Sequence, residues 1–228
     1  MVDILAIGAH PDDVEISVGG TLIKMRKLGH SIAICHCSDG EPTPNGNRET
    51  RLQEAAYAAK RLGAELEILD LPNRYITDTI EGRVKIANVI RKHQPKILLS
   101  PYPGGAHPDH RIVSQLVDAA RFTAKLTKYD QNGQPWEMEP YWCPTQFHFS
   151  LGVRAEEAIP SFIVDVGDEY EEKMEVLRCY RSQFNVDMRF LGGTDFWGPW
   201  IGKSYGEPFW AHKAIGIKDL FDVTVRDR

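Results

Sequence analysis

The chain of 228 residues has few cysteines, and their scarcity excludes two classes of small, cross-linked protein. Only Cys35, Cys37, Cys143 and Cys179 are present, and their irregular spacing fits neither a disulfide framework nor a paired Cys-x-x-Cys zinc site. Cys35 and Cys37 alternate with His36 in an apolar run typical of a strand. We therefore expect one face of that strand to bury both thiols as core residues.

Excess basic charge and long apolar runs are also lacking. The 27 Lys and Arg residues are outnumbered by 32 Asp and Glu residues, which leaves a formal net charge of -5 and no basic stripe for binding phosphates. No apolar run is long enough to span a membrane, and the N-terminal run lacks the basic flank of a signal peptide. We expect a cytoplasmic protein that binds neither nucleic acid nor membrane.

Short apolar runs alternate with longer amphipathic segments in the first half of the chain. The runs predict strands at 4–8, 31–36, 65–69 and 96–100, and the segments predict helices at 20–28, 49–62, 79–93 and 110–122. Gly29 and Gly63 follow two of these helices, where left-handed C-caps favour glycine. The alternation predicts an α/β, Rossmann-like three-layer fold with a mostly parallel sheet and helices on both faces.

The pattern becomes less regular after residue 122. Strands are predicted at 145–150 and 162–166, a helix from 168 to about 184, and irregular structure in the Gly- and Trp-rich stretch that follows. With 42% hydrophobic and 26% charged residues, the composition is that of a globular protein. We expect one domain over 1–228, in which 123–228 form a less regular part that walls the functional site.

Two polar motifs carry the candidate chemistry. The first motif, His10-Pro11-Asp12-Asp13, directly follows the first predicted strand, and the second motif, His107-Pro108-Asp109-His110, lies in the loop after the 96–100 strand. Ligands of open parallel sheets bind at the carboxyl ends of the strands, so both motifs are expected at one edge. No Gly-x-Gly-x-x-Gly or Gly-x-x-x-x-Gly-Lys follows the first strand, which argues against a nucleotide-binding module.

The two motifs together contribute three imidazoles and three carboxylates, which are donors that zinc and its divalent neighbours prefer. A catalytic zinc takes three protein ligands and leaves one position open, so two histidines and one carboxylate would leave three groups for proton transfer and orientation. A His-Pro turn or an Asp at a helix N-cap is also ordinary structure. The combination of both motifs favours a site that binds a divalent metal ion and activates water.

These motifs and their surroundings resemble the LmbE-like, or PIG-L, zinc-dependent N-deacetylases of N-acetylglucosamine conjugates. The resemblance covers nearly the whole chain: residues 9–15 and 107–110, Gly19-Gly20-Thr21, Arg51, Glu54, Ser182-Gln183-Phe184 and Tyr205-Gly206-Glu207-Pro208-Phe209. The last two elements are most similar to the bacillithiol-pathway branch, whose members deacetylate N-acetylglucosaminyl malate. The expected substrate is therefore a small N-acetylated amino sugar.

The resemblance also implies a metal, an assembly and a role for each site residue. It implies one Zn²⁺ per chain, with Fe²⁺ or Co²⁺ as alternatives, and a homo-oligomer such as a hexamer. The metal ligands would be His10, Asp13 and His110. Asp12 would be the general base, and His107 would stabilise the oxyanion as an imidazolium whose ring Asp109 holds. Arg51 would bind the sugar or an acidic group of the substrate.

Several alternatives stay open on the sequence. The substrate could be a different small amide or sugar conjugate, or the chain could be a noncatalytic metal-binding protein. Glu15 could complement the dipole of a helix or orient a ligand. The remaining histidines have no ligand-like neighbours in the sequence and are interpreted as core or surface residues: His30, His36, His93, His148 and His212.

Overall fold

A central sheet of five parallel strands organises the fold. The computed structural model describes residues 1–43, 45–128, 130, 132–134, 136–149, 151, 159–184 and 193–217. The strands are β1 (Ile4–Gly8), β2 (Ile32–His36), β3 (Glu65–Ile68), β4 (Ile97–Pro101) and β5 (Thr145–Phe149), in the order β3-β2-β1-β4-β5. The order reverses between β1 and β4, which is the switch point where such sheets open a crevice for ligands.

Helices cover both faces of this sheet and enclose two apolar cores. The helices are α1 (Asp13–Lys27), α2 (Arg48–Leu62), α3 (Ile80–His93), α4 (Pro108–Ala124), α5 (Tyr170–Leu177) and the short α6 (Thr194–Trp197). Alternate residues of each strand point to opposite faces. Leu5 and Ile7 of β1 therefore pack in the core under α3 and α4, whereas Ile4 and Ala6 pack in the core under α1, α2 and α5. The predicted α/β architecture is confirmed.

Most of the predicted elements are present within one or two residues. The C-caps predicted at glycine are also confirmed, because Gly63 has a φ of 75° and Gly29 a φ of 92°. Cys35 and Cys37 lie buried in the same core as predicted, and both are free thiols. Among the described residues, no helix is long and apolar enough to cross a membrane.

The prediction for α1 was wrong at its start, because the helix begins at Asp13 and not at residue 20. Glycines at positions 19 and 20 disfavour a helix by intrinsic propensity. In the structure Gly20 is required by a close approach: a Cβ atom there would lie 2.9 Å from Cβ of Val166 and 3.0 Å from Oε1 of Glu207. Tertiary packing therefore overrides propensity at this point.

The C-terminal part differs more from the prediction. The helix expected from 168 to about 184 is reduced to a 3-10 turn (Gly167–Glu169) and α5, with turns after residue 177. Strand β6 (Phe162–Asp165) pairs antiparallel with β7 (Gly206–Phe209), which was not predicted. A further β-bridge joins His148 of β5 to Trp210. Residues 185–192 of the predicted irregular stretch lie outside the described residues.

Candidate metal centre and catalytic site

The first motif forms the turn between β1 and α1. Asp12 has a φ of 106°, a left-handed conformation that aspartate tolerates better than most residues with a side chain. The turn brings the carboxylate of Asp13 back over the end of β1, where Oδ2 accepts hydrogen bonds from the backbone N–H groups of Ala9 and His10, both at 2.9 Å. The side chain of Asp13 is therefore fixed by the backbone that precedes it.

The second motif forms the start of α4. Pro108 occupies the first turn, where its missing N–H costs nothing, and His107 is the N-cap residue. Nδ1 of His107 accepts a hydrogen bond from the backbone N–H of Asp109 at 3.1 Å. This start places His110 in the first helical turn, facing the first motif.

Three candidate ligands converge between the two motifs. Oδ1 of Asp13 lies 3.1 Å from Nε2 of His110, and Oδ2 of Asp13 lies 3.4 Å from Nδ1 of His10. Ligand atoms around a tetrahedral zinc ion lie about 3.4 Å apart when each bond is about 2.1 Å long. Nε2 of His110 is buried and has no hydrogen-bond partner among the described residues. These residues therefore fit a divalent metal ion.

A second combination of ligands is present in the same place. His10, His107 and His110 each offer a ring nitrogen within 4.8 Å of the others, and the three ring centroids are 4.7–5.3 Å apart. Asp13 is buried and held by two backbone amides, whereas His107 is exposed at the mouth of the site. The more rigid set is therefore His10, Asp13 and His110.

The electrostatics of the site suit a cation. Burial opposes protonation of His10, but hydrogen bonds and charge from Asp13 and Asp109 raise its pKa to about 9. Burial would also raise the pKa of Asp13, but His110 and His10 hold it well below its usual range. Burial, with the charges of Asp13 and Glu15, raises the pKa of Asp12 well above its usual range. A divalent ion would balance this concentration of carboxylates.

Asp109 contacts a different histidine from the one predicted. Its Oδ2 lies 3.0 Å from Nε2 of His10 and accepts the backbone N–H of Arg74 at 2.7 Å. The ring of His107 is held by the backbone N–H of Asp109 and not by its carboxylate. Metal-binding histidines commonly donate their second ring nitrogen to a carboxylate, so Asp109 is placed to orient His10 when Nδ1 of His10 binds metal.

The surroundings of His107 favour its neutral form, and the imidazolium that the resemblance implied stays a prediction. Desolvation and the neighbouring His110 and His10 lower the pKa of His107. Because the backbone N–H of Asp109 donates to Nδ1, the ring proton of the neutral form is assigned to Nε2. A neutral imidazole with this tautomer can still donate a hydrogen bond to a negative oxygen.

Arg51 is buried beside the first motif, with an exposed fraction of only 2%. Its Nη2 donates to the carbonyl oxygen of Pro11 at 2.8 Å and lies 3.5 Å from Oδ2 of Asp12. Nε and Nη1 have no hydrogen-bond partner in the described parts of the chain. Arg51 therefore contacts both Pro11 and Asp12 of the first motif through one nitrogen.

Arg51 also lines a cavity of about 230 Å³ together with the two motifs. The other lining residues are Gly40, Pro42, Thr43, Asn73, Arg74 and Gln183. Sequence reasoning did not select Asn73 and Arg74, although they follow β3 at the same edge of the sheet, which was the available signal. Arg74 has a φ of 68° and is exposed, and it lines the cavity.

Glu15 lies away from the candidate ligands. It is fully buried, accepts a hydrogen bond from the Tyr180 hydroxyl at 2.7 Å and lies 3.6 Å from Nε2 of His36. These contacts hold its pKa below the usual value although burial alone would raise it. Glu15 thus belongs to a buried polar cluster and makes no described contact with His10, Asp13 or His110.

The fold and the site define an α/β protein with a histidine–aspartate centre at the carboxyl edge of its sheet. Residues 5–121 match the model of the family described as PIG-L, GlcNAc-PI de-N-acetylase. The chain belongs to this family. The predicted family and the predicted enzyme class, a deacetylase that hydrolyses amide bonds, are confirmed.

The chain is similar to three proteins of different kinds. It is 29% identical to a diacetylchitobiose deacetylase of Thermococcus kodakarensis, over 94% of this chain and 82% of that protein. It is 30% identical to the solved structure of the conserved protein TT1542 from Thermus thermophilus, with a TM-score of 0.85 over 96% and 98% of the two chains. A 4-oxalmesaconate hydratase of Pseudomonas putida is 25% identical over 78% of this chain and 73% of that protein.

Proposed function

We propose that this protein removes the N-acetyl group from an N-acetylglucosamine conjugate, with a divalent ion held by His10, Asp13 and His110. The observation that carries the proposal is the spacing of Asp13 between the two histidines, at 3.1 and 3.4 Å, with Nε2 of His110 left without a hydrogen bond among the described residues. When bound, a zinc-type ion supplies the Lewis acidity that activates water and polarises an amide carbonyl.

The residues around that centre supply proton transfer. Asp12 lines the cavity and would accept a proton from the attacking water as general base, then deliver it to the nitrogen of the leaving amine. Arg51 would hold the Asp12 carboxylate in place during both transfers, through its Nη2. This role is supported by the contacts of the two carboxylates, because Asp12 lies beside Arg51 whereas Asp13 is bound by the backbone of Ala9 and His10.

His107 would stabilise the charge that develops on the carbonyl oxygen. Its Nε2–H donates from the mouth of the site, and the bond from the backbone of Asp109 fixes the ring. Arg51, which lines the cavity, would bind a sugar hydroxyl or a carboxylate of the substrate through its guanidinium. Together with the exposed guanidinium of Arg74, these donors favour an acidic aglycone, and N-acetylglucosaminyl malate is the substrate we propose.

A second candidate function follows from the hydratase relative. The same ion and the same base could activate water for addition to a carbon–carbon double bond of a small tricarboxylate, which the two arginines would also bind. The two reactions have different products and can be measured separately.

The test is an assay of the purified full-length protein before and after chelation and after addition of Zn²⁺. Acetate release would be measured from N-acetylglucosaminyl malate, diacetylchitobiose and N-acetylglucosamine, and hydration from the loss of absorbance of 4-oxalmesaconate. We expect acetate release that chelation abolishes, Zn²⁺ restores and His110→Ala eliminates, with exposed His30→Ala as the matched control. Hydration without acetate release would show that the protein is a hydratase and not a deacetylase. Metal binding without either reaction would indicate a noncatalytic metal-binding protein.

A further inference from the structure

A second cluster of metal-binding side chains lies at the end of β5. His148 is on β5, Asp118 is on α4, and His212 follows β7. One ligand atom of each residue lies within 4.8 Å of the others, and the two imidazole centroids are 4.3 Å apart. These side chains come from three elements that are far apart in the sequence, and none of them belongs to the two motifs.

The hydrogen bonds of His148 determine which of its ring nitrogens can bind a metal. Nδ1 lies 3.1 Å from the carbonyl oxygen of Pro101, which can only accept, so the proton is assigned to Nδ1 and the lone pair to Nε2. His148 is 1% exposed, and its Nε2 is buried with no hydrogen-bond partner in the described structure. A buried lone pair beside a second imidazole and a carboxylate is the arrangement that a cation satisfies.

The residues around the cluster hold it in this arrangement. Nε2 of Gln146 donates to Oδ1 of Asp118 at 2.6 Å and to Oγ of Ser100 at 3.1 Å, and Ser100 in turn contacts Nδ1 of His148. Such contacts to the far side of the ligands are typical of metal sites. Burial and the neighbouring His212 also lower the pKa of His148, which keeps its imidazole in the neutral form that binds metal.

We propose that His148, His212 and Asp118 form a second site for a zinc-type divalent ion, separate from the centre at His10, Asp13 and His110. Two imidazoles and one carboxylate are a donor set that Zn²⁺ and Co²⁺ accept, and because Asp118 and His212 are exposed, water can fill the fourth position. A metal here cross-links α4, β5 and the segment after β7. Its role is therefore to fix the C-terminal segment on the body of the protein.

The test measures Zn²⁺ binding to the metal-free full-length protein by titration calorimetry and metal analysis. We expect two equivalents per wild-type chain and one in the double variant His10→Ala/His110→Ala, which keeps only the second site. Adding His212→Gln to the double variant should weaken the remaining site by at least about tenfold, as loss of one of three ligands would, and adding Asp118→Asn should also weaken it. Both added substitutions are at exposed positions, and His30→Gln is the matched control at another exposed histidine.

Thermal unfolding gives a second readout that needs no activity. Zn²⁺ should raise the Tm of the double variant more than the Tm of the triple variant with His212→Gln at the same Zn²⁺ concentration, because the stabilisation depends on the ratio of free ion to Kd. A double variant that binds no Zn²⁺, or a triple variant that binds it as tightly as the double variant, would overturn the second site. Failure of the second site can be distinguished from failure of the proposed function. The single substitution His212→Gln should remove one equivalent of Zn²⁺ from the wild-type chain whether or not the protein releases acetate.

Discussion

Asp12 combines an uncommon backbone conformation with a central position in the proposed chemistry. Its φ of 106° costs free energy that the surrounding structure must supply, and such residues cluster at functional sites. Asparagine tolerates the left-handed region as well as aspartate does, so Asp12→Asn changes the charge and keeps the backbone. The site therefore offers a substitution that separates geometry from proton transfer.

We expect Asp12→Asn to retain one equivalent of metal at the first centre and to lower kcat by about 10²- to 10⁴-fold, because a general base is lost. The checks are steady-state kinetics on the N-acetylated substrate and metal analysis of the same preparation. The matched control is Asp39→Asn, an acidic residue of a neighbouring loop that contacts Arg48. Near-normal turnover in Asp12→Asn would show that another group is the general base.

The tautomer of His107 leads to a second prediction at this scale. Glutamine is neutral and keeps a side-chain N–H donor, so His107→Gln should retain part of the rate if His107 acts as a neutral donor. Loss of the donor altogether in His107→Ala should cost about 10²- to 10³-fold in kcat, as for an oxyanion-hole donor. Kinetics of the two variants decide the point: equal losses in both would indicate that the positive charge is needed, as the resemblance implied.

Individual contacts within the site were beyond what the sequence could predict. The two motifs were placed correctly at one sheet edge, because strand ends in a parallel sheet share an edge. Which ring the carboxylate of Asp109 meets depends on side-chain directions at the start of α4, and these follow from His107 acting as N-cap. The position of Arg74 in the cavity lining depends on its own left-handed backbone, which no sequence pattern predicts.

At the scale of elements, two C-terminal segments that carry the family resemblance contact α1 and α2. The carboxylate of Glu207 in β7 accepts the backbone N–H groups of Gly20 and Thr21 in α1, at 2.9 and 2.7 Å. Ser182 binds the carboxylate of Glu54 in α2, at 2.8 Å from its backbone N–H and 2.6 Å from its hydroxyl. Residues that are far apart in the sequence thus form two sets of hydrogen bonds, and these bind the C-terminal part of the chain to α1 and α2.

We expect Glu207→Gln to lower the free energy of unfolding by about 3–5 kcal/mol, because it leaves the ammonium of Lys173 buried without its partner charge. Lys173 and Glu207 are each about 1% exposed and lie 2.7 Å apart. The measurement is urea unfolding at pH 7. The control Glu172→Gln removes a partner of Arg26 that is about one-third exposed, and should cost no more than about 1 kcal/mol. Similar losses in both variants would contradict the importance of the buried pair.

Asp3 connects the beginnings of three strands and gives a pH-dependent prediction. It accepts from Nζ of Lys96, before β4, and from the backbone N–H of Ser31, before β2, and these bonds hold its pKa well below the usual range. The unfolded chain has a pKa of about 3.9 for this group, so the unfolded state binds its proton first as pH falls. The stabilisation from Asp3 is therefore complete above about pH 5 and is lost progressively below it.

Asp3→Asn should accordingly make stability less dependent on pH in the acidic range. Urea midpoints of wild type and variant would be compared at pH 7 and at about pH 3.5. We expect the wild type to lose more of its midpoint between the two pH values than the variant does. An equal loss in both proteins would assign the acid sensitivity to other carboxylates.

The strands were predicted more accurately than the helix starts, for a physical reason. Apolar runs buried on both faces, such as Ile4–Gly8, signal a central parallel strand directly. The beginning of α1 and the strand β7 depend instead on each other, because Gly20 and Glu207 fit their elements only through mutual packing. Intrinsic propensity describes each segment alone, so it predicts neither the beginning of α1 nor strand β7.

At the scale of the whole molecule, two cores on opposite faces of one sheet support one site at its edge. The expectation of a homo-oligomer, such as the hexamer that the resemblance implies, stays a prediction. Light scattering coupled to size exclusion checks it, since a hexamer would have six times the mass of one chain. A monomeric mass at micromolar concentration would contradict it.

The bonds from Glu207 also bear on the order in which the protein is synthesised. The ribosome delivers α1 early, but the carboxylate that receives the amides of Gly20 and Thr21 follows 187 and 186 residues later. Until that residue leaves the exit tunnel, these two amides and the Lys173 ammonium lack their native protein partner. The native packing of α1 around Gly20 and Thr21 is therefore completed only after residue 207 has been synthesised.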